Sequence, residues 1–187
     1  MSKEENAKYL EEAINELNNA AQRGDMAAEK LLTAKKFADE GDFWGSSSKE
    51  WLYDLATAYY KGEGVGRDFE KAVYWYNVVY RSPTDINGID KDAAYALGMC
   101  YLNGESVEQD FETAMRLMKT AADSDEYGGG DVTIAGNMNA MRMLGYMYRR
   151  GKGVDMDIQA AISWYKKAIA AGDNDARYNL ACVYGCN

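Results

Sequence analysis

The apolar positions of this chain recur in blocks that have the spacing of a helical face. In each of four blocks a leucine is followed four residues later by a tyrosine, and a glycine or alanine follows the leucine directly. The pairs are Leu55 and Tyr59, Leu97 and Tyr101, Leu144 and Tyr148, and Leu180 and Tyr184. Side chains four positions apart lie on one face of an α-helix, so each block predicts a helix with one apolar face.

The first three blocks continue with the same turn residues and a second helical pattern. A glycine comes three residues after the tyrosine, an aspartate six residues after the glycine, and an alanine four residues after the aspartate. Glycine ends a helix in the left-handed conformation, and aspartate accepts the free amide hydrogens at the start of the next helix. Each block therefore predicts an antiparallel helix pair. The turn residues are Gly62, Gly104, Gly151, Asp68, Asp110 and Asp157.

Repetition of this unit predicts the fold class. The leucines of successive blocks are 42, 47 and 36 residues apart, so the shortest spacing is the basic unit and the longer ones contain insertions of 6 and 11 residues. One helix pair cannot bury its own apolar face, whereas a stack of pairs covers each face with the next pair. We therefore predict an all-α solenoid of antiparallel helix pairs.

The third block, Ala140 to Gly172, resembles the Sel-1-like repeats, which are related to the tetratricopeptide repeats. The family pattern joins Leu-Gly-x2-Tyr-x2-Gly-x-Gly-Val-x2-Asp to Ala-x2-Trp-Tyr-x-Lys-Ala, and this block reads LGYMYRRGKGVDMD and then AISWYKKA. The resemblance implies a right-handed superhelix with a concave surface, a role as an adaptor or scaffold that binds other proteins, and no catalytic residue. The other blocks depart from the pattern in packing details at Trp51, Ala56, Ser106, Leu117 and Met118.

The resemblance covers most of the chain and predicts one solenoid domain, residues 1–187. Three repeats span residues 51–80, 93–122 and 140–172, and residues 173–187 form a C-terminal helix. Residues 1–49 are predicted as N-terminal helices with a degenerate capping repeat, because Ala13 to Gly24 parallels the second helix of the third repeat. Phe37 to Lys49 interrupts this register.

The composition predicts a folded, acidic protein of the cytoplasm. The chain contains 21 Lys and Arg against 30 Asp and Glu, a formal charge of −9. A negative surface disfavours nucleic acids and anionic membranes and favours a basic protein partner. No run is long and apolar enough for a membrane span or a signal peptide, so the predicted location is the cytoplasm, or the host-cell cytoplasm for a viral protein. The oligomeric state and the identity of the partner stay open.

The residues that would support catalysis or a cofactor are missing from the sequence. There is no histidine, which removes the commonest general base and metal ligand. Glu126 to Val132 is glycine-rich but lacks the Gly-Lys-Ser/Thr ending of a phosphate-binding loop. Cys100, Cys182 and Cys186 lack metal-site spacing and are predicted as reduced, partly buried thiols. We therefore predict that the protein is not an enzyme and has no cofactor.

Acidic residues cluster in the two insertions, Arg81 to Asp92 and Asp123 to Asn137. Their carboxylates could hold calcium, but neither insertion has the EF-hand frame with its closing glutamate, so solvated loops without a metal are the prediction. The loops are predicted to make secondary contacts with a partner. The residues concerned are Asp85, Asp90, Asp92, Asp123, Asp125, Glu126 and Asp131.

The first helix of each repeat carries a second row of large side chains. Positions two before, two after and five after the leucine lie about 160 degrees from it around the helix, on the concave side that the resemblance implies. Tyrosine, methionine, leucine and arginine occupy this row, and these residues are typical of interfaces. Burial of the tyrosines against one another by tight curvature is the alternative. The predicted binding row is Tyr53, Thr57, Tyr60, Tyr95, Met99, Leu102, Arg142, Tyr146, Arg149, Tyr178 and Cys182.

Three functions are compatible with the sequence. The first is a protein-interaction module whose tyrosine-rich row takes a peptide or helix of a partner, with binding that tolerates salt. The second is an acidic inhibitor, such as a viral antagonist, that blocks the basic groove of a nucleic-acid enzyme with salt-sensitive binding. The third is an enzyme or a metal-dependent protein. The resemblance favours the first function.

Overall fold

Two compact units make up the chain. The computed structural model describes residues 3–40, 46–82, 89–127 and 132–185. Contacts between residues divide the chain into Met1–Val79 and Tyr80–Asn187, which we call unit 1 and unit 2. Because each unit is compact by itself, the single solenoid domain of residues 1–187 stays a prediction.

The described residues are almost entirely helical outside the turns. Unit 1 contains α1 (Lys3–Gln22), α2 (Met26–Glu40), α3 (Ser46–Lys61) and most of α4 (Phe69–Arg81). Unit 2 contains α5 (Ile89–Asn103), α6 (Phe111–Ala122), α7 (Met138–Arg150), α8 (Ile158–Ala170) and α9 (Asp175–Val183). Between α6 and α7, strands β1 (Asp125–Tyr127) and β2 (Val132–Ile134) pair antiparallel, with Glu126 opposite Thr133. The insertion predicted at residues 123–137 thus contains a short hairpin.

The turn between the two helices of a repeat has the same hydrogen bonds in all three repeats. Gly62, Gly104 and Gly151 have φ angles of +79°, +75° and +64°, and each donates its N–H to the carbonyl four residues earlier. The N–H of the aspartate that follows donates to the carbonyl of the repeat's tyrosine at 2.9 to 3.0 Å. These left-handed residues end the helix as predicted.

The predicted aspartate caps also form. Asp110 accepts the backbone N–H of Thr113 at 3.0 Å, and Asp157 accepts that of Ala160 at 2.9 Å. Asp68 caps α4 in the same way. Hydrogen bonds from the side chain and backbone of Thr113 lower the pKa of Asp110, as expected for a carboxylate that satisfies amide hydrogens at the start of a helix. Each second helix therefore begins where its aspartate stands.

Close packing of the helices in unit 2 depends on the small residue that follows the repeat's leucine. A Cβ atom at Gly145 would lie 2.6 Å from the ring of Tyr165, and one at Gly98 would lie 2.8 Å from Cε of Met118. A larger residue at Gly145 would force the Tyr165 ring or its helix to move, whereas at Gly98 the flexible end of Met118 would have to shift. The largest fully buried side chains are Leu17, Leu55, Tyr59 and Trp75 in unit 1, and Leu97, Met118, Leu144, Met147 and Tyr165 in unit 2.

A second left-handed position lies two residues after the glycine that ends the first helix. Two repeats have glycine there, Gly64 and Gly153, with φ angles of +78° and +69°. The second repeat has Ser106 at the equivalent place, with a φ of +54°. The Cβ atom of an L-residue clashes with the backbone in this conformation, so the serine is strained where glycine is not.

We expect Ser106→Gly to raise the free energy of unfolding by up to about 1 kcal/mol, because removal of Cβ relieves this strain. Glycine also gives the unfolded chain more freedom, which keeps the gain small. Thermal unfolding followed by circular dichroism measures the effect. A lower midpoint in the variant would contradict the prediction, because the extra freedom of the unfolded chain and any lost serine contact would then outweigh the strain.

Candidate functional site

In unit 1 the predicted binding row consists of Tyr53, Thr57 and Tyr60 on α3, and all three side chains are half-buried. The ring of Tyr53 lies 5.5 Å from that of Tyr76, and the Thr57 hydroxyl is 3.1 Å from the Tyr76 hydroxyl. The ring of Tyr60 lies 5.3 Å from that of Phe69 in an edge-to-face arrangement. Part of each side chain therefore holds α3 against α4, and part remains exposed.

On α5 the predicted row separates into exposed and buried members. Tyr95 and Met99 are half-buried, but Leu102 is only 5% exposed. The turn after α5 is tied to this residue, since the Gln109 amide donates to the backbone carbonyl of Leu102 at 2.8 Å. Leu102 therefore belongs to the core, and its predicted contact with a partner is corrected to a structural role. Burial raises the pKa of Tyr95, so its hydroxyl stays neutral.

On α7 the first member of the row, Arg142, is part of a buried ion pair. Its Nε lies 2.6 Å from Oδ2 of Asp173, which is 6% exposed. Its guanidinium also donates to the Asn139 side chain at 2.9 Å. The other oxygen of Asp173 accepts the backbone N–H groups of Asp175 and Ala176 at 2.8 and 3.2 Å. Arg142 thus ties α7 to the start of α9.

Two further members of the row on α7 have aromatic or cationic neighbours. Tyr146 is half-buried, and its ring centroid lies 5.6 Å from Nζ of Lys152. Lys152 also lies 5.0 Å from the ring centroid of Phe111. Burial raises the pKa of Tyr165, and Arg149 lies close enough to oppose that rise. Tyr146 and Arg149 therefore flank the buried Tyr165 and keep part of their surface in solvent.

On α9 the row continues with Tyr178 and Cys182. Tyr178 is 74% exposed, which makes it the most accessible tyrosine of the row, and Cys182 is half-buried. An aromatic ring exposed to this extent on a helix adds apolar surface that a partner can cover. The row in unit 2 thus offers Tyr95, Met99, Tyr146, Arg149 and Tyr178 as accessible side chains.

One acidic residue assigned to the insertions, Asp92, has a structural role. Asn137 donates its side-chain N–H to Asp92 at 2.6 Å and also caps α7, so Asp92 fixes the end of the second insertion. Lys91, which is 4% exposed, donates to the carbonyl of Asp123 at the other end. Burial raises the pKa of Asp92. We therefore correct the prediction of a solvated contact at Asp92, whose carboxylate holds the base of the hairpin.

The remaining acidic residues of the insertions are partly accessible or lie outside the described residues. Asp123 has an exposed side chain, and Asp90 is half-buried, with Oδ1 buried and lacking a hydrogen bond among the described atoms. Asp125 and Glu126 lie in β1, where the structure describes the backbone. Asp85 and Asp131 lie outside the described residues. Their predicted contacts with a partner stay predictions.

A polar cleft of about 610 Å³ in unit 1 lies beside the turn between α3 and α4. Glu16 and Lys71 pair across it at 2.6 Å, and Nζ of Lys71 stands 5.1 Å from the ring centroid of Tyr59. Burial and the neighbouring Glu16 carboxylate raise the pKa of Tyr59. The Tyr59 hydroxyl therefore stays protonated at neutral pH, and the Glu16 carboxylate is paired with Lys71.

Metal binding and a reactive cysteine are the two chemical features at issue in the described part of the chain. No group of three His, Cys, Asp or Glu side chains there could hold a metal ion. Burial raises the pKa of the Cys100 thiol to about 12, so this cysteine is not a thiolate at neutral pH. None of the helices in these segments is both long and apolar enough to cross a membrane.

The sequence matches the Sel1 repeat family over residues 52–77, 91–126 and 139–173, which together make up just over half of the chain. The chain belongs to the Sel1 repeat family. Each matched segment overlaps one of the three repeats predicted from the sequence. Sel1 repeat proteins generally act as protein-interaction modules and are typically not enzymes.

Solved structures of Sel1 repeat proteins have the same fold. The Sel1 repeat protein from Oxalobacter formigenes is 27% identical, with a TM-score of 0.57 over 81% of this chain and 96% of that one. The protective antigen c5321 of uropathogenic Escherichia coli, which displays an SLR fold, is 22% identical, with a TM-score of 0.62 over 90% of this chain and 36% of that one. A search of curated proteins gives no match. The predicted all-α solenoid of antiparallel helix pairs is confirmed.

Sequence reasoning missed residues that organise the third Sel1 repeat. Asp173 was not assigned a role, although it stands directly after Gly172 and before α9, where a capping residue is expected. Lys152, which lies near the rings of Phe111 and Tyr146, was also missed. The high proportion of Lys and Arg in this repeat was the signal, because the rest of the chain is strongly acidic.

Proposed function

We propose that this Sel1 repeat protein is a non-enzymatic adaptor that binds a partner protein or peptide through the tyrosine-rich row on the first helices of its repeats. The observation that carries the proposal is the composition of the accessible row in unit 2. Tyr95, Met99, Tyr146, Arg149 and Tyr178 stand where a solvated helix would carry Lys, Glu and Gln. Tyrosine, methionine and arginine are enriched at the centres of interfaces, where few residues supply most of the affinity.

The rings of this row support recognition of a peptide or a helix. Each half-buried tyrosine is held by its neighbours, so little side-chain entropy is lost when a partner covers its exposed part. The phenol also offers a hydroxyl to the polar backbone of a peptide. Tyr53, Thr57 and Tyr60 in unit 1 form a second group of this kind. We assign the protein to the cytoplasm on the sequence pattern alone.

We expect Tyr95→Ala/Tyr146→Ala to abolish capture of the partner from a lysate of the source organism. Alanine in place of an interface tyrosine costs about 2 kcal/mol or more, which is roughly a 30-fold loss in affinity per site. Immobilised wild-type and variant proteins are compared after washes at low and high salt. Binding by the wild type that survives high salt, and its loss in the variant, is the expected result.

Tyr184→Ala is the matched control for this experiment, because Tyr184 is 62% exposed but lies outside the row. All proteins are first compared by thermal unfolding, so that loss of folding is not mistaken for loss of binding. Equal capture by the wild type and the double variant would refute the tyrosine-rich row as the binding surface.

The acidic inhibitor is the alternative function, and the formal charge of −9 supports it. Its binding would depend on carboxylates and would be screened by salt, because exposed charges more than about 10 Å apart hardly interact at 0.1 M salt. The same washes separate the two functions. Capture of a basic nucleic-acid enzyme that survives both tyrosine substitutions and is removed by salt would favour the inhibitor.

A further inference from the structure

Charge is distributed unevenly along this acidic chain. Residues 138–187 contain seven Lys and Arg against four Asp and Glu, whereas residues 1–137 contain 14 against 26. The segment with α7, α8 and α9 therefore has a net charge of +3, and residues 1–137 have a net charge of −12. A local surface of the opposite sign to the whole protein selects partners by charge.

The positive side chains of α7 surround Tyr146. Arg142 precedes it by four residues, and Arg149 and Arg150 follow it by three and four. Side chains at these spacings are neighbours on a helix surface. Lys152, in the turn after α7, places Nζ 5.6 Å from the Tyr146 ring centroid. We call these five residues the Tyr146 patch.

The positive side chains of the patch differ in whether they already interact with another residue of the protein. Arg142 pairs with Asp173, and Lys152 stacks between the rings of Phe111 and Tyr146. Arg149 is half-buried and Arg150 is exposed. In the described part of the chain, no carboxylate forms an ion pair with either of them. Two guanidinium groups next to one tyrosine therefore remain available for a ligand.

We infer that the Tyr146 patch binds an acidic peptide segment of a partner protein. Arginine pairs with a carboxylate through two parallel hydrogen bonds, and the Tyr146 ring offers apolar surface beside it. Tyr178 on α9, the next tyrosine of the row along the chain, is 74% exposed. The patch is part of the row proposed above, so the inference rests on the proposed function and names the chemistry of its partner. It replaces the basic partner expected from net charge alone.

Charge also argues for a peptide over a nucleic acid. A nucleic acid carries one charge for each phosphate along its whole length, and repulsion from a protein with a formal charge of −9 opposes every phosphate that the patch does not neutralise. A peptide with two or three carboxylates can place them all against the patch. The tyrosine ring suits the aromatic or aliphatic side chains of such a peptide.

Binding of a fluorescein-labelled random copolymer of glutamate and tyrosine tests the inference by fluorescence anisotropy. The wild-type protein is expected to bind this probe and to bind the matching lysine–tyrosine copolymer more weakly. Arg149→Glu/Arg150→Glu is expected to weaken binding at least about tenfold at low salt. Arg149→Gln/Arg150→Gln removes the charge with less risk to folding and is expected to show the same direction.

Lys119→Glu/Lys166→Glu is the control, because it makes the same change in net charge at exposed residues of α6 and α8 in the same unit. Its affinity is expected to stay within about twofold of the wild type. Equal losses in the control and in the arginine variants would overturn the patch, since net charge alone would then explain binding. Preference of the wild type for the lysine copolymer would overturn the acidic partner.

Two further measurements test the other possible ligands of the patch, a nucleic acid and a second copy of this chain. Binding of labelled poly-uridylate as tightly as the glutamate copolymer would overturn the choice of a peptide. Sedimentation velocity of the wild type alone tests for a second copy as the occupant, and self-association that is lost in Arg149→Gln/Arg150→Gln would overturn a separate partner. If the tyrosine variants lose the lysate partner while the arginine variants keep the copolymer, the proposed function stands and this inference fails.

Discussion

Gly153→Ala is expected to lower the free energy of unfolding by roughly 2–4 kcal/mol, because two separate costs act at this residue. A Cβ atom there would lie 2.1 Å from the carbonyl oxygen of Phe111 and 2.5 Å from its carbonyl carbon. These are backbone atoms at the start of α6, so no side chain can rotate away to make room. In addition, the φ of +69° is strained for any residue with Cβ.

Gly172→Ala is the matched control for this prediction. Gly172 also has a positive φ, +101°, but no neighbouring atom lies within 4 Å of a Cβ placed there. The free energy of unfolding of this variant is therefore expected to fall only by the cost of the left-handed conformation, about 1–2 kcal/mol. Thermal unfolding of both variants beside the wild type separates the two costs. Equal falls in the midpoint would contradict the contact with Phe111 as the main cause.

The helix ends and turns of the repeats could be predicted because their causes are local. Gly104 ends α5 and Asp110 caps α6 through hydrogen bonds to residues a few positions away. Such bonds depend on residue type and spacing, both of which are readable from the sequence. Stacking of helix pairs then follows from the apolar face that each pair leaves exposed. The fold class was therefore accessible without a structure.

The burial and the ion pairs of individual side chains in the binding row were harder to predict from the sequence. Arg142 has the helical position of an interface residue, yet it is paired with Asp173, 31 residues later in the chain. Leu102 occupies the same row and is only 5% exposed. The position of a residue on a helix predicts the direction of its side chain. The burial of that side chain depends on which other elements pack against it. Only the three-dimensional structure separates the accessible residues of the row from the structural ones.

The acidic insertions show the same limit. Composition indicated solvated carboxylates, but Asp92 accepts a hydrogen bond from Asn137, which is 45 residues away in the sequence. Lys91 and Asp92, which are consecutive on α5, hold the two ends of the segment that contains the hairpin. Charged residues are rarely buried without a partner of opposite charge or a hydrogen-bond partner. A charged residue is therefore predicted to be exposed when its partner is distant in the sequence and unknown.

Loss of the Arg142–Asp173 pair is expected to be the most damaging polar change in the third repeat. Asp173→Ala should lower the free energy of unfolding by about 3 kcal/mol. It removes the partner of a mostly buried guanidinium and also the cap of α9, since one oxygen serves Arg142 and the other accepts the N–H groups of Asp175 and Ala176. Asp155→Ala is the control, because Asp155 is exposed in the same unit and carries the same charge.

A double-mutant cycle shows whether the pair or the cap dominates. Asp173→Asn keeps an oxygen for the cap but removes the charge, and Arg142→Met removes the guanidinium while keeping an apolar stem. If the pair dominates, each single variant is clearly destabilised and the double variant recovers part of the loss, because neither charge is then left buried alone. Strictly additive losses would contradict direct coupling. Arg142 is also a member of the Tyr146 patch. A confirmed coupling would therefore mean that the ion pair joining α7 to α9 holds one member of this patch in place.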